Sequence, residues 1–143
     1  SQEKGVRLPY KLAFCRAMQR FLKGLEEKGY ETLLVGDYNI AHQPIDLARP
    51  KNNEKNPGYL PEERQWMTTY LKAGFHDVYR ELNPDQEGAY TWWTMRTNAR
   101  EKNIGWRLDY TTVTSGLMDR VTDAKIHNRI DGSDHCPVSV ELS

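Results

Sequence analysis

Thr32-Leu33-Leu34-Val35-Gly36-Asp37-Tyr38-Asn39 is a short apolar run, stopped by a glycine and followed at once by an acid and an amide. The apolar part reads as a buried strand, being short, aliphatic and bounded by a turn former. Asp37 and Asn39 then stand at the carboxyl end of that strand, where layered α/β architectures tend to place their ligands. Working back from it, Leu12, Cys15, Met18, Phe21, Leu22 and Leu25 recur at a spacing of about 3.6 residues and mark an amphipathic helix. Pro9 suits its first turn and Gly29 its end, so the helix is predicted over Pro9 to Lys28.

Working forward, Ala41 to Leu60 is rich in Pro, Asn and Lys, and reads as a long binding loop. Pro61-Glu62-Glu63 opens a second helix, since proline and acids both favour a first turn. Trp66, Met67, Tyr70 and Leu71 give it an apolar face, and Gly74 ends it. From Ala89 onward strand signals dominate: Tyr90 to Thr94, Arg107 to Thr114, Val121 to His127 and Val138 to Leu142. Helices and strands mix without a regular βαβ beat. The fold class is therefore α+β, a layered, mixed and mainly antiparallel sheet with flanking helices.

The 143 residues fit one domain, long enough to bury a core without a disulfide. Lys+Arg and Asp+Glu balance at 20 each, so nucleic-acid contact has to come from local patches. Cys15 and Cys136 have no zinc-type spacing and read as two buried thiols of a reducing compartment. No apolar run approaches the ~20 residues of a membrane span. The polar start, Ser1 to Gly5, carries no signal-peptide pattern. A soluble intracellular protein with no membrane partner is expected.

Three places carry chemistry. Asp37 can handle a proton or a water while Asn39 holds a phosphoryl oxygen; the same Gly-Asp-x-Asn is equally an ordinary turn. In Ser133-Asp134-His135, Asp134 suits a divalent cation and His135 a phosphate, provided that Gly132 and Pro137 bend the chain; a capped surface turn is the alternative. Asp109 lies in an otherwise apolar strand, a costly place unless paired, and a histidine whose tautomer it fixes is a natural partner; a solvent-facing position is the alternative. Around them, Tyr90-Thr91-Trp92-Trp93-Thr94 is followed by Arg96, Arg100, Lys102 and Arg107. Aromatics interleaved with cations suit a nucleic-acid groove, although tryptophans in a sheet core look the same in sequence. Arg49, Lys51 and Lys55 form a second basic cluster beside Asn52, Asn53 and Asn56.

Taken in order, Gly36-Asp37-x-Asn39, Asn56-Pro57-Gly58-Tyr59-x-Pro61-x-Glu63-Arg64, Tyr90-Thr91-Trp92-Trp93, Gly105-Trp106-Arg107-Leu108-Asp109-Tyr110 and Gly132-Ser133-Asp134-His135-Cys136-Pro137 resemble the exonuclease III type of abasic-site endonuclease. The likeness spans almost the whole chain. It implies half of a four-layer, DNase I-like α/β sandwich. It implies that Asp37 handles protons, Asn39 positions the nucleophile and phosphate, and Asp109 orients His135. By the same resemblance Asp134 belongs to an Mg²⁺ or Mn²⁺ site, and Asn53 and Asn56 contact DNA beside the lesion. Trp92, larger than the phenylalanine expected there, and Trp106 wall an abasic pocket, and Arg96 stands where some relatives present an apolar side chain to the DNA groove; Arg100, from the basic cluster above, is expected to contact DNA.

The resemblance also implies a gap. The family's first half supplies a glutamate as principal metal ligand, a partner aspartate and asparagine, and a catalytic tyrosine, and none has a counterpart here. Residues 1–143 are therefore expected to be the C-terminal half, with the N-terminal half absent. The implied function is divalent-metal-dependent cleavage 5′ to abasic sites in base excision repair, with 3′-5′ exonuclease and 3′-phosphodiesterase activities as companions. The implied partners are abasic double-stranded DNA and either the missing half or a second copy in a homodimer. Two alternatives stand beside this: a non-catalytic DNA-binding or assembly module, and a phosphoesterase on another substrate.

Overall fold

A computed structural model describes residues 7–143, so the polar Ser1–Gly5 segment lies outside it. Helix α1 (Leu8–Glu27) leads to strand β1 (Leu33–Asp37), and two 3₁₀ turns, Pro44–Asp46 and Pro50–Asn52, punctuate the long loop. Helix α2 (Pro61–Lys72), strand β2 (Phe75–Asp77) and helix α3 (Val78–Leu82) follow. Strand β3 (Asp109–Thr114), helix α4 (Ser115–Met118), β4 (Val121–Ile126) and β5 (Val138–Leu142) complete the order. The strands form a three-stranded sheet, β1-β3-β2, and a two-stranded sheet, β4-β5. Every pairing between named strands is antiparallel.

Both long helices begin and end where their punctuation places them. Pro9 lies in the first turn of α1, and Gly29 beyond its end takes φ +90°. Pro61 opens α2, and Gly74 past its end takes φ +105°, a left-handed conformation that a residue without Cβ adopts freely. Met18, Leu22 and Leu25 of α1 and Met67 and Tyr70 of α2 pack with Ile40, Phe75 and Tyr110 of the sheet layer. Tyr70 stacks on Phe75 at 4.4 Å between ring centres and bonds Thr112 through its hydroxyl at 2.8 Å. Both cysteines are free and buried, and burial pushes the Cys136 thiol up to about 11.

Several expectations are corrected. Tyr90 to Thr94 forms no strand; Trp92 makes only single bridges, to Trp106 and to His135, because this segment threads between two others instead of lying along either. Strand β1 is not buried: Leu33 and Val35 are exposed, and so are Tyr10, Phe14 and Phe21 of α1. Trp93 and Leu108 are buried by the chain's own segments. Strand β2 and helices α3 and α4 are too short to show a period in sequence.

Arg107 departs furthest from its expected place at the DNA surface. It is 1 % exposed. Its Nη1 and Nη2 donate to the two Asp77 carboxylate oxygens at 3.0 and 2.6 Å, and Nε donates to Asp46 at 2.8 Å. Arg80 adds a second cation to Asp46 at 2.8 Å. A buried guanidinium is tolerable only with carboxylates matched to its fork, and these two match it.

Candidate active site

The register of β1 on β3 places Asp37 directly opposite Asp109. Two carboxylates facing each other across a ladder repel unless a cation or a proton lies between them. His135 takes that place. Its Nδ1 bonds Asp109 at 2.8 Å, and its Nε2 faces Asp37 at 3.8 Å. Burial pulls the imidazole toward its neutral form, but the Asp109 hydrogen bond and charge, with Asp37 and Asp134 behind them, reverse this and raise its pKa above the ordinary histidine value. Burial, and then the Asp109 charge, push the Asp37 carboxyl above the usual carboxylate range, against the Asn39 amide that holds it down.

Local structure builds each part. Asn39 takes φ +53°, a left-handed turn that asparagine tolerates, and its amide donates back to Asp37 Oδ1 at 2.7 Å. Asp109 is seated by Thr91, whose buried hydroxyl accepts from the amides of Leu108 at 2.9 Å and Asp109 at 3.0 Å. The Ser133–His135 segment bends as Gly132 allows (φ +116°), and the His135 amide donates to Ser133 Oγ at 3.1 Å. The bend lets neighbouring side chains diverge: His135 reaches Asp109 while Asp134 Oδ2 accepts Trp92 Nε1–H at 3.0 Å. That indole hydrogen bond holds the Asp134 carboxyl below its usual range, so it stays ionised.

The remaining expected residues lie around this centre. Trp92 and Trp106 meet edge-to-face at 6.3 Å over Ala41, Leu47, Tyr59 and Leu108. Asn53 and Asn56 are joined, Asn56 Nδ2 donating to Asn53 Oδ1 at 2.9 Å, and Asn53 Nδ2 donates to the Arg49 carbonyl at 2.9 Å. Arg96 is exposed, on the segment beside Trp92 and Trp93. Arg100 is half-buried: its guanidinium bonds the carbonyls of Ser133, Asn128 and Ile130 at 3.1, 3.0 and 2.8 Å and lies 4.6 Å over the Trp93 ring. It clamps the loop that presents Asp134 and His135. Neither Thr91 nor the Arg100 clamp was visible in sequence, where a threonine among aromatics and one arginine among several carry no signal.

Asp37, Asp109 and His135 each offer a ligand atom, all within 4.8 Å of one another, a grouping able to hold a divalent cation. The 2.8 Å bond between Asp109 and His135 fits a shared proton, however, and leaves no space for an ion between those two atoms. A hard cation prefers oxygens, about six of them for Mg²⁺. The ionised Asp134 is the carboxylate that suits it best. The arrangement as a whole pairs an oriented imidazole with a proton-exchanging acid beside a carboxylate-lined opening, equipment for attack by water on an electrophilic centre that carries charged oxygens.

Such a centre on a two-sheet α+β frame is in keeping with the family to which the chain belongs, the endonuclease/exonuclease/phosphatase family, whose model matches residues 2–135. It is 49 % identical over 138 residues to the DNA repair nuclease APEX1 of Danio rerio, covering 96 % of this chain and 44 % of that protein. It is 44 % identical over 137 residues to an exodeoxyribonuclease of Bacillus subtilis (strain 168), covering 96 % of this chain and 54 % of the relative. The crystal structure of the AP endonuclease LMAP from Leishmania major superposes with a TM-score of 0.90 at 31 % identity, over 98 % of this chain and 46 % of that one. The chain thus spans about half the length of these two curated relatives. Among the described residues no helix is long and apolar enough to cross a membrane.

Proposed function

We propose that this chain forms the C-terminal half of a divalent-metal-dependent DNA phosphodiesterase of base excision repair, which cuts the backbone 5′ to abasic sites. The observation that carries the proposal is the His135 imidazole held between Asp109 and Asp37 at 2.8 and 3.8 Å. The repair nucleases at 49 % and 44 % identity support the substrate class. An Mg²⁺ or Mn²⁺ ion, held through Asp134, would supply charge neutralisation at the scissile phosphate.

The chain's own residues do the rest. Asp109 accepts a hydrogen bond from Nδ1–H of His135, which orients the ring and points Nε2 into the opening. The imidazolium, favoured by its carboxylate neighbours, donates from Nε2 to a phosphoryl oxygen and meets the charge that develops there. Asp37, whose carboxyl is held above the usual range, takes a proton from the attacking water or returns one to the leaving 3′ oxygen. The Asn39 side-chain amide orients the phosphate. Asn53 and Asn56 contact the backbone beside the lesion, Trp92 and Trp106 wall the pocket of the baseless sugar, and Arg96 faces the groove. The 3′-5′ exonuclease and 3′-phosphodiesterase activities follow from the same centre acting at a strand end.

The test is incision of a duplex with a single abasic site by the whole protein, with and without chelator. Chelator-sensitive nicking that leaves a 3′ hydroxyl, and that Asp37→Asn abolishes, is expected. Tight abasic-DNA binding without incision in Mg²⁺ or Mn²⁺ would favour a DNA-binding module instead. The 143-residue chain alone should cut poorly, since its carboxylates offer too few oxygens for a near-octahedral cation.

The same reading extends to assembly. Tyr10, Phe14 and Val35 are 66, 56 and 49 % exposed beside a groove of about 720 Å³ that leads to Asp37. In the working protein this face packs against an N-terminal half, or against a second copy in a homodimer. Light scattering of the chain at several concentrations separates the two: a concentration-independent dimer means the second copy, and a dye-binding monomer means the other half.

A further inference from the structure

Lys11 was not among the residues singled out in sequence, where it is one cation among several on α1. In the structure its ammonium reaches away from solvent toward two partners on different segments. It donates to the carbonyl of Asn39 at 2.5 Å and forms an ion pair with Glu63. The Lys11 side chain is 22 % exposed and that of Glu63 only 1 %.

Glu63 is the third residue of α2, and its other oxygen is fully used. Its Oε1 accepts from the amides of Gly58 at 2.8 Å and Leu60 at 3.0 Å, which closes the end of the Asn-rich loop onto the helix. The Gly58 carbonyl in turn accepts from the Ala41 amide at 2.8 Å, two residues past Asn39. A closed ring results: Lys11 to Asn39, along the chain to Ala41, across to Gly58, to Glu63 and back to Lys11. Asn39 sits inside this ring in a left-handed conformation, and its own amide orients Asp37.

Glu63 at this burial requires a charged partner. A lysine on α1 could satisfy it without touching Asn39 at all. The additional bond to the Asn39 carbonyl is therefore what distinguishes a device from a helix-docking pair: it holds Asn39 from its carbonyl side, while the backbone amide on the other side of the same residue orients Asp37.

We propose that Lys11 is a positioning residue, one ammonium that locks the Asp37–Asn39 turn to the loop carrying Asn53 and Asn56, so that seating DNA against the loop and aligning the turn are one event. This rests on the functional reading above for its consequence in catalysis, though not for its geometry.

The experiment uses Lys11→Met, which keeps the stem and removes the charge, and Lys11→Arg, which restores the charge and its donors. In the whole protein, Lys11→Met lowers kcat on abasic duplex by about ten- to hundredfold, the scale of a misaligned reacting group. Its KM stays within about threefold, and Lys11→Arg recovers most of the lost kcat. In the same whole protein, amide NMR of Lys11→Met shows faster hydrogen exchange and a moved resonance at Asn39, while Met67 and Tyr70 of α2 keep their protection. Should Lys11→Met lose the protection of α2 as well, Glu63→Gln, which retains an acceptor for the Gly58 and Leu60 amides, replaces it and must reproduce the Asn39 change. An unaltered Asn39 amide, or wild-type kcat in a folded Lys11→Met protein, overturns the proposal. If the unsubstituted protein does not cut abasic DNA, the functional reading fails, and the Asn39 amide still decides the role of Lys11.

Discussion

Replacing Arg107 with methionine tests whether this arginine serves the core or the DNA. The substitution keeps an apolar stem of similar length and removes the guanidinium. Asp77 then loses both oxygens' partners and keeps only the Arg80 backbone amide at 3.4 Å, while Asp46 retains Arg80 at 2.8 Å. Breaking one side of a buried ion pair costs about 3–5 kcal/mol, because a charge is left in low dielectric. For a domain of this length that lowers Tm by roughly 10–15 °C. The pH dependence supplies a second signature. Burial pushes the Asp46 carboxyl up, but Arg107 and Arg80 override it and hold it below its usual range. Stability from a depressed acid is present above its unfolded value and is lost as the pH falls through the folded one. Without Arg107 a buried carboxylate takes up a proton more readily folded than unfolded, so the deficit of the variant should shrink as the pH is lowered toward about 4. Calorimetry at several pH values measures both effects. A Tm within a few degrees of the parent, together with weakened DNA binding, would falsify the core assignment and return Arg107 to the phosphate-contacting surface.

His135→Ala and Asp37→Asn in the whole protein should each lower turnover by several powers of ten while DNA affinity changes little, because both groups act mainly in the transition state; single-turnover and binding measurements separate the two. Asp109→Asn should lower the midpoint of the His135 imidazole titration, seen by NMR; because the wild-type value is raised, the stability this pair contributes is present at low pH and disappears as the pH rises through the folded value, and the variant should lack that dependence. Gly58→Ala should destabilise by about 1–3 kcal/mol and shift tryptophan fluorescence, since a Cβ there would stand 2.9 Å from the Trp106 ring at φ +97°; an unchanged spectrum and Tm would mean that the loop gives way freely. DNA binding should fall steeply with salt, each phosphate contact by Arg49, Lys51, Lys55 or Lys102 adding about 0.9 to the slope of log affinity against log salt, and Arg107 should contribute nothing to it.

The sequence by itself determined what local chemistry controls. Proline in the first turns of α1 and α2, the glycines beyond their ends and the apolar stripes between set those helices to within a residue or two, since capping and periodicity act over a few residues. The order of short motifs placed the chain in its family, because each motif carries its own chemistry wherever the fold takes it. Tertiary structure decided how those residues meet. Asp37 and Asp109 are far apart in sequence, and only the β1–β3 register sets them face to face with His135 between them. The same holds for Arg107, which in sequence belonged to a basic surface cluster but whose two aspartates draw it into the core, and for Lys11, whose partners come from two other segments. The cost of a buried charge depends on what else is buried beside it, and that company is chosen by packing between distant segments, which no local pattern records.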